Sequence, residues 1–277
     1  MTEAIPRWII LSPHLDDGAL SCGGLIAALS PHFPVEVWTI FGGAPWRGPY
    51  SGIAHWLHGV SGGATGSRLA RIRRKEDRVA CGMLGVRWKH FRWHDAAYRR
   101  CRDKKFLYQS SCQDSWENDD KPMVRELIKT MHKHLRVEDR VLVPLAIGRH
   151  VDHIIVRHVA EQTNHPGLIY YPDIPYKQRF PEEAEIQSAG MKVLEYGVSK
   201  SQATYWVQAV KAYCSQMGML EEAVGSLEAL IMSYAASGKT PLFVDGNGSL
   251  ALEAMACDLK SVGLSVSAND GLSIPSI

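Results

Sequence analysis

Trp8-Ile9-Ile10-Leu11-Ser12-Pro13-His14-Leu15-Asp16-Asp17-Gly18 is the stretch on which the fold turns. Trp8–Ser12 is a short apolar run, and its length and flanks read as a buried strand. Pro13 removes a backbone donor and stops the ladder, so the chain leaves the sheet at His14. An Ala- and Leu-rich run from about Gly18 to Ser30 then predicts a helix. Ligands in open α/β sheets gather beyond the carboxyl ends of the strands, which is where His14, Asp16 and Asp17 stand.

Outward from this point the pattern repeats. Val35–Phe41, Trp88–His94, Arg140–Ala146 and Leu168–Tyr171 read as further strands. Between them lie a helix that Ser67 could cap and Gly85 ends, a helix over Met123–Leu135, and one from the Gly148-Arg149-His150 turn to about Gln162. Short strands alternating with longer helices predict an α/β fold with a mainly parallel sheet. Two connections, Gly42–Gly66 and Ala96–Lys121, show no clear period and are long for loops. The first carries Trp46, Tyr50 and Trp56, which argue against simple disorder. Glu182–Gly197 reads as a hairpin or bent strands at a sheet edge, and Ser201 as the cap of one long helix from Gln202 to Leu230. After Ser237 the chain turns Gly- and Ser-rich, and Ser261–Ile277 is expected to fray or pack loosely. No internal repeat appears. One domain over residues 1–277 is expected, its tail after about 237 being the least determined part.

Composition excludes several classes. The 277 residues are 45% hydrophobic and 22% charged with a net charge of +2, ordinary for a soluble globular protein. That charge is too mild to argue for nucleic acid or an anionic membrane as a partner. No stretch approaches ~18 uninterrupted apolar residues, so no membrane span is expected, and the polar start carries no secretory signal. Six cysteines lack the close spacing of a zinc knuckle or redox motif, which points to free thiols in the cytoplasm. The sequence leaves an oligomer possible.

Two constellations carry chemistry. Adjacent carboxylates are costly unless their roles differ, and a cation separates them: one Asp ligates, its neighbour handles a proton. The plainer alternative is a helix N-terminus capped by Asp16 or Asp17. The second constellation follows the Arg140–Ala146 strand: His150-Val151-Asp152-His153. His150 and His153, three apart, would share a helix face, and Asp152 could serve as acceptor for either. A parallel sheet puts both clusters on one rim. His14, Asp17 and His153 then form three N/O ligands with positions open to water, the composition of a catalytic zinc site.

These motifs, in this order, resemble the PIG-L/LmbE-like family of zinc-dependent de-N-acetylases. The first motif of that family, proline-histidine-x-aspartate-aspartate, is matched by Pro13–Asp17, and its histidine-x-aspartate-histidine by His150–His153. Arg73, Glu76, Ala80, Leu84-Gly85, Tyr170-Tyr171-Pro172 and Tyr213-Cys214-Ser215-Gln216 are also similar to the family pattern. The resemblance covers about four-fifths of the chain; its motifs are specific as a pair and weak singly. It implies a Rossmann-like sheet with helices on both faces, Zn2+ held by His14, Asp17 and His153, and Asp16 as general base. It also implies His150 as general acid or oxyanion partner, oriented by Asp152. The implied substrate is a small-molecule N-acetylated amino sugar or glycoconjugate. Leu15 and Gly18 depart from the proline and glutamate common in the family, and the second departure removes a nearby carboxylate.

Arg73 and Asp95 are the candidates for gripping the substrate, although Arg73 could equally lie on a solvated helix face among Arg68, Arg71, Arg74, Lys75 and Arg78. Trp46, Tyr50 and Trp56 could form a lid, or simply pack in their loop. Arg99, Arg100, Arg102, Lys104 and Lys105 read as a solvated basic loop. Three rival functions stand beside amide hydrolysis: a metal-dependent hydratase of an unsaturated acid, a non-catalytic carbohydrate-binding protein, and a nucleotide-binding module. Gly18, Gly23 and Gly24 lack the dinucleotide fingerprint spacing, which weakens the last.

Overall fold

The computed structural model describes residues 5–113, 115–245 and 249–268. Strand β1 (Trp8–Ser12) leads into helix α1 (Asp17–Leu29), then β2 (Val35–Thr39), α2 (Gly52–Val60), α3 (Gly66–Met83) and β3 (Arg87–His90). A connection with 3-10 turns at Ala96–Tyr98 and Asn118–Asp120 precedes α4 (Lys121–His134), β4 (Arg140–Pro144), α5 (Val151–Glu161) and β5 (Leu168–Tyr171). There follow α6 (Tyr176–Arg179), α7 (Pro181–Gln187), β6 (Lys192–Tyr196), α8 (Lys200–Lys211), α9 (Cys214–Val224) and α10 (Leu227–Ser237). The described chain closes with β7 (Thr240–Val244), α11 (Ser249–Ser261) and β8 (Val266–Ala268).

The eight strands of the described residues join one sheet in the order β3-β2-β1-β4-β5-β7-β6-β8. The first five are parallel, with Trp8 beside both Val35 and Arg140. β7, β6 and β8 extend that sheet as antiparallel strands. Strand geometry sends alternate side chains to opposite faces. Trp8 and Ile10 enter the layer beneath α1, α8 and α10, whereas Ile9 and Leu11 enter the layer of α4 and α5. Helices therefore cover both faces, and β1 lies buried between them.

The α1 and α8 axes approach closely because Gly23 has no side chain: a Cβ there would lie 2.1 Å from Trp206 Cδ1. The Trp206 indole donates to Ala19 O at 2.8 Å across the same contact. The glycines after the first strand thus serve helix packing rather than a phosphate loop. A Cβ at Gly18 would meet Ile10, Ser12 and Val37 at 3.2 Å, so a side chain at position 18 would be directed into the core.

Several expectations are corrected. The Gly42–Gly66 connection contains α2, whose cap Ser51 accepts from Ala54 N at 3.1 Å. Thr65, not Ser67, precedes α3. The third strand ends at His90. The Glu182–Gly197 segment supplies most of α7 and all of β6. The expected single helix over Gln202–Leu230 is three helices: a capping box on Ser199 opens α8, buried Tyr213 interrupts it, and Gly225 at φ 76° separates α9 from α10. The segment after Ser237, the least determined part of the sequence, supplies β7, which sits inside the sheet between β5 and β6. Of Ser261–Ile277, β8 is paired to β6 and residues 269–277 lie outside the described residues. Among the described residues no helix is long and apolar enough to cross a membrane.

Candidate metal centre

The centre forms where β1 and β4 end side by side. Ser12 Oγ donates to His14 O at 2.6 Å and accepts from Gly18 N at 2.8 Å, closing the turn that swings His14 and the two aspartates above the sheet. Asp16 occupies the position ahead of α1, yet its side chain makes no capping hydrogen bond. Asp17 Oδ2 instead accepts from His14 N at 2.8 Å. The capped-helix alternative does not describe this turn.

Asp17 Oδ2 lies 3.1 Å from His14 Nδ1 and 3.2 Å from His153 Nε2. The other ring nitrogen of each histidine already has a carboxylate: His14 Nε2 is 3.0 Å from Asp152 Oδ2, and His153 Nδ1 is 2.6 Å from Asp173 Oδ1. Neutral imidazoles that donate outward to Asp152 and Asp173 present their remaining lone pairs inward, at one oxygen of Asp17. Buried lone pairs facing each other at this distance require a cation or protons between them. In accord, His153 Nε2 is buried without a hydrogen-bond partner. The donor set, two nitrogens and a carboxylate oxygen, with a further carboxylate on the far nitrogen of each ring, fits a divalent metal such as zinc.

The electrostatics agree. Burial alone would lower both histidines, but the surrounding carboxylates prevail. Asp152 and Asp17 raise His14 well above its ordinary value, and Asp17 with Asp173 raises His153 to about 9. Asp17 is held well below the usual carboxylate range because His153 and His14 outweigh its burial. Asp16 goes the other way: burial raises it, Arg73 partly offsets this, and Asp17 adds to the rise. The adjacent carboxylates therefore differ in kind.

His150 departs from the expected arrangement. Its Nδ1 accepts from the Asp152 backbone amide at 3.2 Å, while the Asp152 carboxylate contacts His14 instead. Asp152 thus orients His14, not His150. Burial, with His14 and His153 nearby, pushes His150 well below its ordinary value. A neutral ring that accepts at Nδ1 carries its proton on Nε2. Ligating atoms of His14, His150 and His153 all lie within 4.8 Å of one another.

Arg73 is buried, not solvated, and its Nη2 lies 3.0 Å from Asp16 Oδ1. Asp95 caps the first 3-10 turn through Ala97 N at 2.9 Å, with its other oxygen 3.7 Å from His14 Nε2. Both border a cavity of about 720 Å³ whose floor is His14, Asp16, Asp17 and His150. Of the three lid aromatics only Trp56 reaches that cavity; Tyr50 packs on His58 and His55, and Trp46 is 73% exposed.

Asp173 escaped the sequence reading although it follows a strand end, in Tyr171-Pro172-Asp173, as the two motifs do. Gln216, buried with Oε1 unpartnered, and Tyr176, whose ring stands 5.7 Å from that of His153, also line the cavity. Ser215 ties α9 to α3 through Glu76, by N at 2.8 Å and Oγ at 2.6 Å. The weaker family-like residues are therefore partly a packing signature.

A Rossmann-type sheet with a His/Asp metal centre at the carboxyl ends of β1 and β4 defines a metal-binding α/β protein. The chain belongs to the PIG-L family, since residues 9–164 match the family model described as GlcNAc-PI de-N-acetylase. It is 30% identical over 175 residues to the 2'-N-acetylparomamine deacetylase of Streptomyces fradiae, covering 61% of this chain and 57% of that protein. The chain thus spans a little over half the length of this curated relative. A deacetylase of the teicoplanin biosynthesis pathway superposes with a TM-score of 0.71 at 26% identity, over 96% of this chain and 100% of the other. The zinc-inhibited form of a teicoplanin deacetylase superposes at 0.69 and 26% identity with the same coverage.

Proposed function

We propose that this chain is a zinc-dependent N-deacetylase that hydrolyses the amide of an N-acylated amino sugar or amino-sugar conjugate. The observation that carries the reading is the convergence of His14 Nδ1 and His153 Nε2 on Asp17 Oδ2 beside Asp16, at the floor of a cavity large enough for a sugar conjugate. Family membership and the deacetylase relatives support it.

His14, Asp17 and His153 would hold the zinc, which would supply Lewis acidity to water and the substrate carbonyl. Asp16 is the general base: Arg73 holds its Oδ1, and the side chain lines the cavity. Having taken the proton of the water, Asp16 returns it to the departing amine nitrogen. His150, neutral with its proton on Nε2, donates to the developing oxyanion. Asp152 and Asp173 hold the two ligand rings in their tautomers. Arg73 acts through Asp16, and Asp95 borders the same cavity.

We place the protein in the cytoplasm as one domain. Its six cysteines form no disulfide, and the segment after Ser237 completes the same sheet.

The test is acetate release from a panel of N-acetylated amino sugars, with and without chelator. Asp16→Asn should keep its zinc and lose on the order of 10²–10⁴ in rate. His153→Ala should lose the metal. Full zinc occupancy in the His153 variant, or turnover that survives chelation, contradicts the reading.

A further inference from the structure

A buried chain of charges runs from His14 into the connection between β3 and α4. Asp152 is 0% exposed and takes His14 Nε2 at 3.0 Å, Ala96 N at 3.0 Å and the Arg99 guanidinium. Arg99 Nε lies 2.9 Å from Asp120 Oδ1, and Tyr108 donates to Asp120 Oδ2 at 2.6 Å. The guanidinium carbon sits 5.2 Å from the ring centres of both Phe41 and Tyr108. Arg100, Arg102, Lys104 and Lys105 are exposed, whereas Arg99 is 7% exposed and belongs to the interior.

We propose that Arg99 is a positioning residue for the metal centre. A carboxylate alone can rotate about its Cβ–Cγ bond and offer either oxygen to His14. Arg99 on Oδ1, with Ala96 N on Oδ2, fixes that rotation and leaves Oδ2 for the imidazole. The Phe41 and Tyr108 rings against the guanidinium, and the Asp120–Tyr108 pair beyond it, hold the planar fork in place. Asp152 then holds the His14 ring so that Nδ1 is turned towards Asp17. Lysine would keep the charge but neither the fork nor the stacking plane. The 96–120 connection is thereby part of the metal site, though none of its described residues is a ligand. This rests on the reading of His14 as a ligand.

The zinc dissociation constant, measured by competition with a chromophoric chelator, tests it in wild type, Arg99→Met, Arg99→Lys, Arg99→Gly and Arg7→Met. Arg7 grips fully buried Asp139 by Nε at 2.9 Å and Nη2 at 2.7 Å at the opposite end of β1, a pair of the same kind remote from the site. Arg99→Met should weaken zinc binding about 10–100-fold, as loss of an outer-shell partner does, and Arg99→Lys should fall between. Arg7→Met should lower thermal stability and leave zinc affinity unchanged. Arg99→Gly should regain zinc affinity on addition of guanidinium ion, a response that a general packing defect would not show. Unchanged affinity in Arg99→Met overturns the proposal, as does equal weakening in Arg7→Met. Should Arg99→Met not fold, Arg99→Lys decides, and a wild-type constant there overturns it. Absence of zinc binding in folded wild type would instead overturn the metal reading itself, and this proposal with it.

Discussion

Arg73 and Asp16 face each other across a single 3.0 Å ion pair, with side chains only 11% and 6% exposed. The pair links α3 to the turn after β1, so an arginine that borders the cavity is also the partner of the proposed base. Arg73→Met should lower kcat on the order of 10²-fold with zinc content unchanged, because removing one member of a buried pair leaves the other without compensation. Steady-state kinetics with metal analysis checks this. A raised KM with kcat retained would make Arg73 a substrate grip instead.

A chain ended after Ser237 should not fold. It lacks β7, which pairs with β5 at Tyr170–Phe243 and with all five residues of β6. The loss would leave two interior strand edges unpaired and β6 detached from the sheet. Recovery of a monodisperse, cooperatively melting truncation would show that the parallel half stands alone.

Gly23→Ala should destabilise the protein by about 1–3 kcal/mol, the usual cost of overpacking a core. The new methyl group would stand 2.1 Å from Trp206 Cδ1, and Trp206 is fully buried with its indole committed to Ala19 O. Denaturant unfolding gives the number, and a wild-type midpoint would mean that α1 and α8 separate at little cost.

Acid should loosen α2 through His58. Its Nε2 accepts from Gly66 N at 3.2 Å and lies 3.0 Å from Tyr98 Oη. Burial, with a smaller contribution from His55, lowers its pKa. The folded value lies below the unfolded one, so the unfolded chain takes up more protons in acid. This contribution is therefore complete above about pH 6.5 and is lost as the pH falls towards the folded value. Melting temperatures from about pH 7.5 to about 5.5 should fall less steeply for His58→Gln than for wild type. Parallel slopes would remove His58 as the cause.

Much of the parallel half was legible because its signals are local. Trp8–Ser12 and Leu168–Tyr171 have the predicted bounds, since an apolar run closed by Pro13 or Pro172 has few alternatives in a buried sheet. The long helix predicted over Gln202–Leu230 was not, because its pattern stays helical through the breaks; Tyr213 turns inward only because α3 is there to receive its hydroxyl on Asp77 at 2.8 Å. The Ala96–Lys121 connection is polar and without period, and looks solvated until Asp152 is known to lie beneath it.

By itself the sequence determined which titratable residues stand together on one rim of the sheet. His14, Asp16, Asp17, His150 and His153 follow strand ends, and a parallel sheet brings such ends together whatever the rest of the chain does. Only the tertiary structure decided who serves whom. Asp152 belongs to His14 across 138 residues and Arg99 to Asp152 across 53, while His150, the neighbour that sequence spacing offered, receives only a backbone amide. Periodicity records the face a residue takes within its own element. The partner of a buried charge is chosen by desolvation, which rewards whatever donor the packing of distant segments delivers.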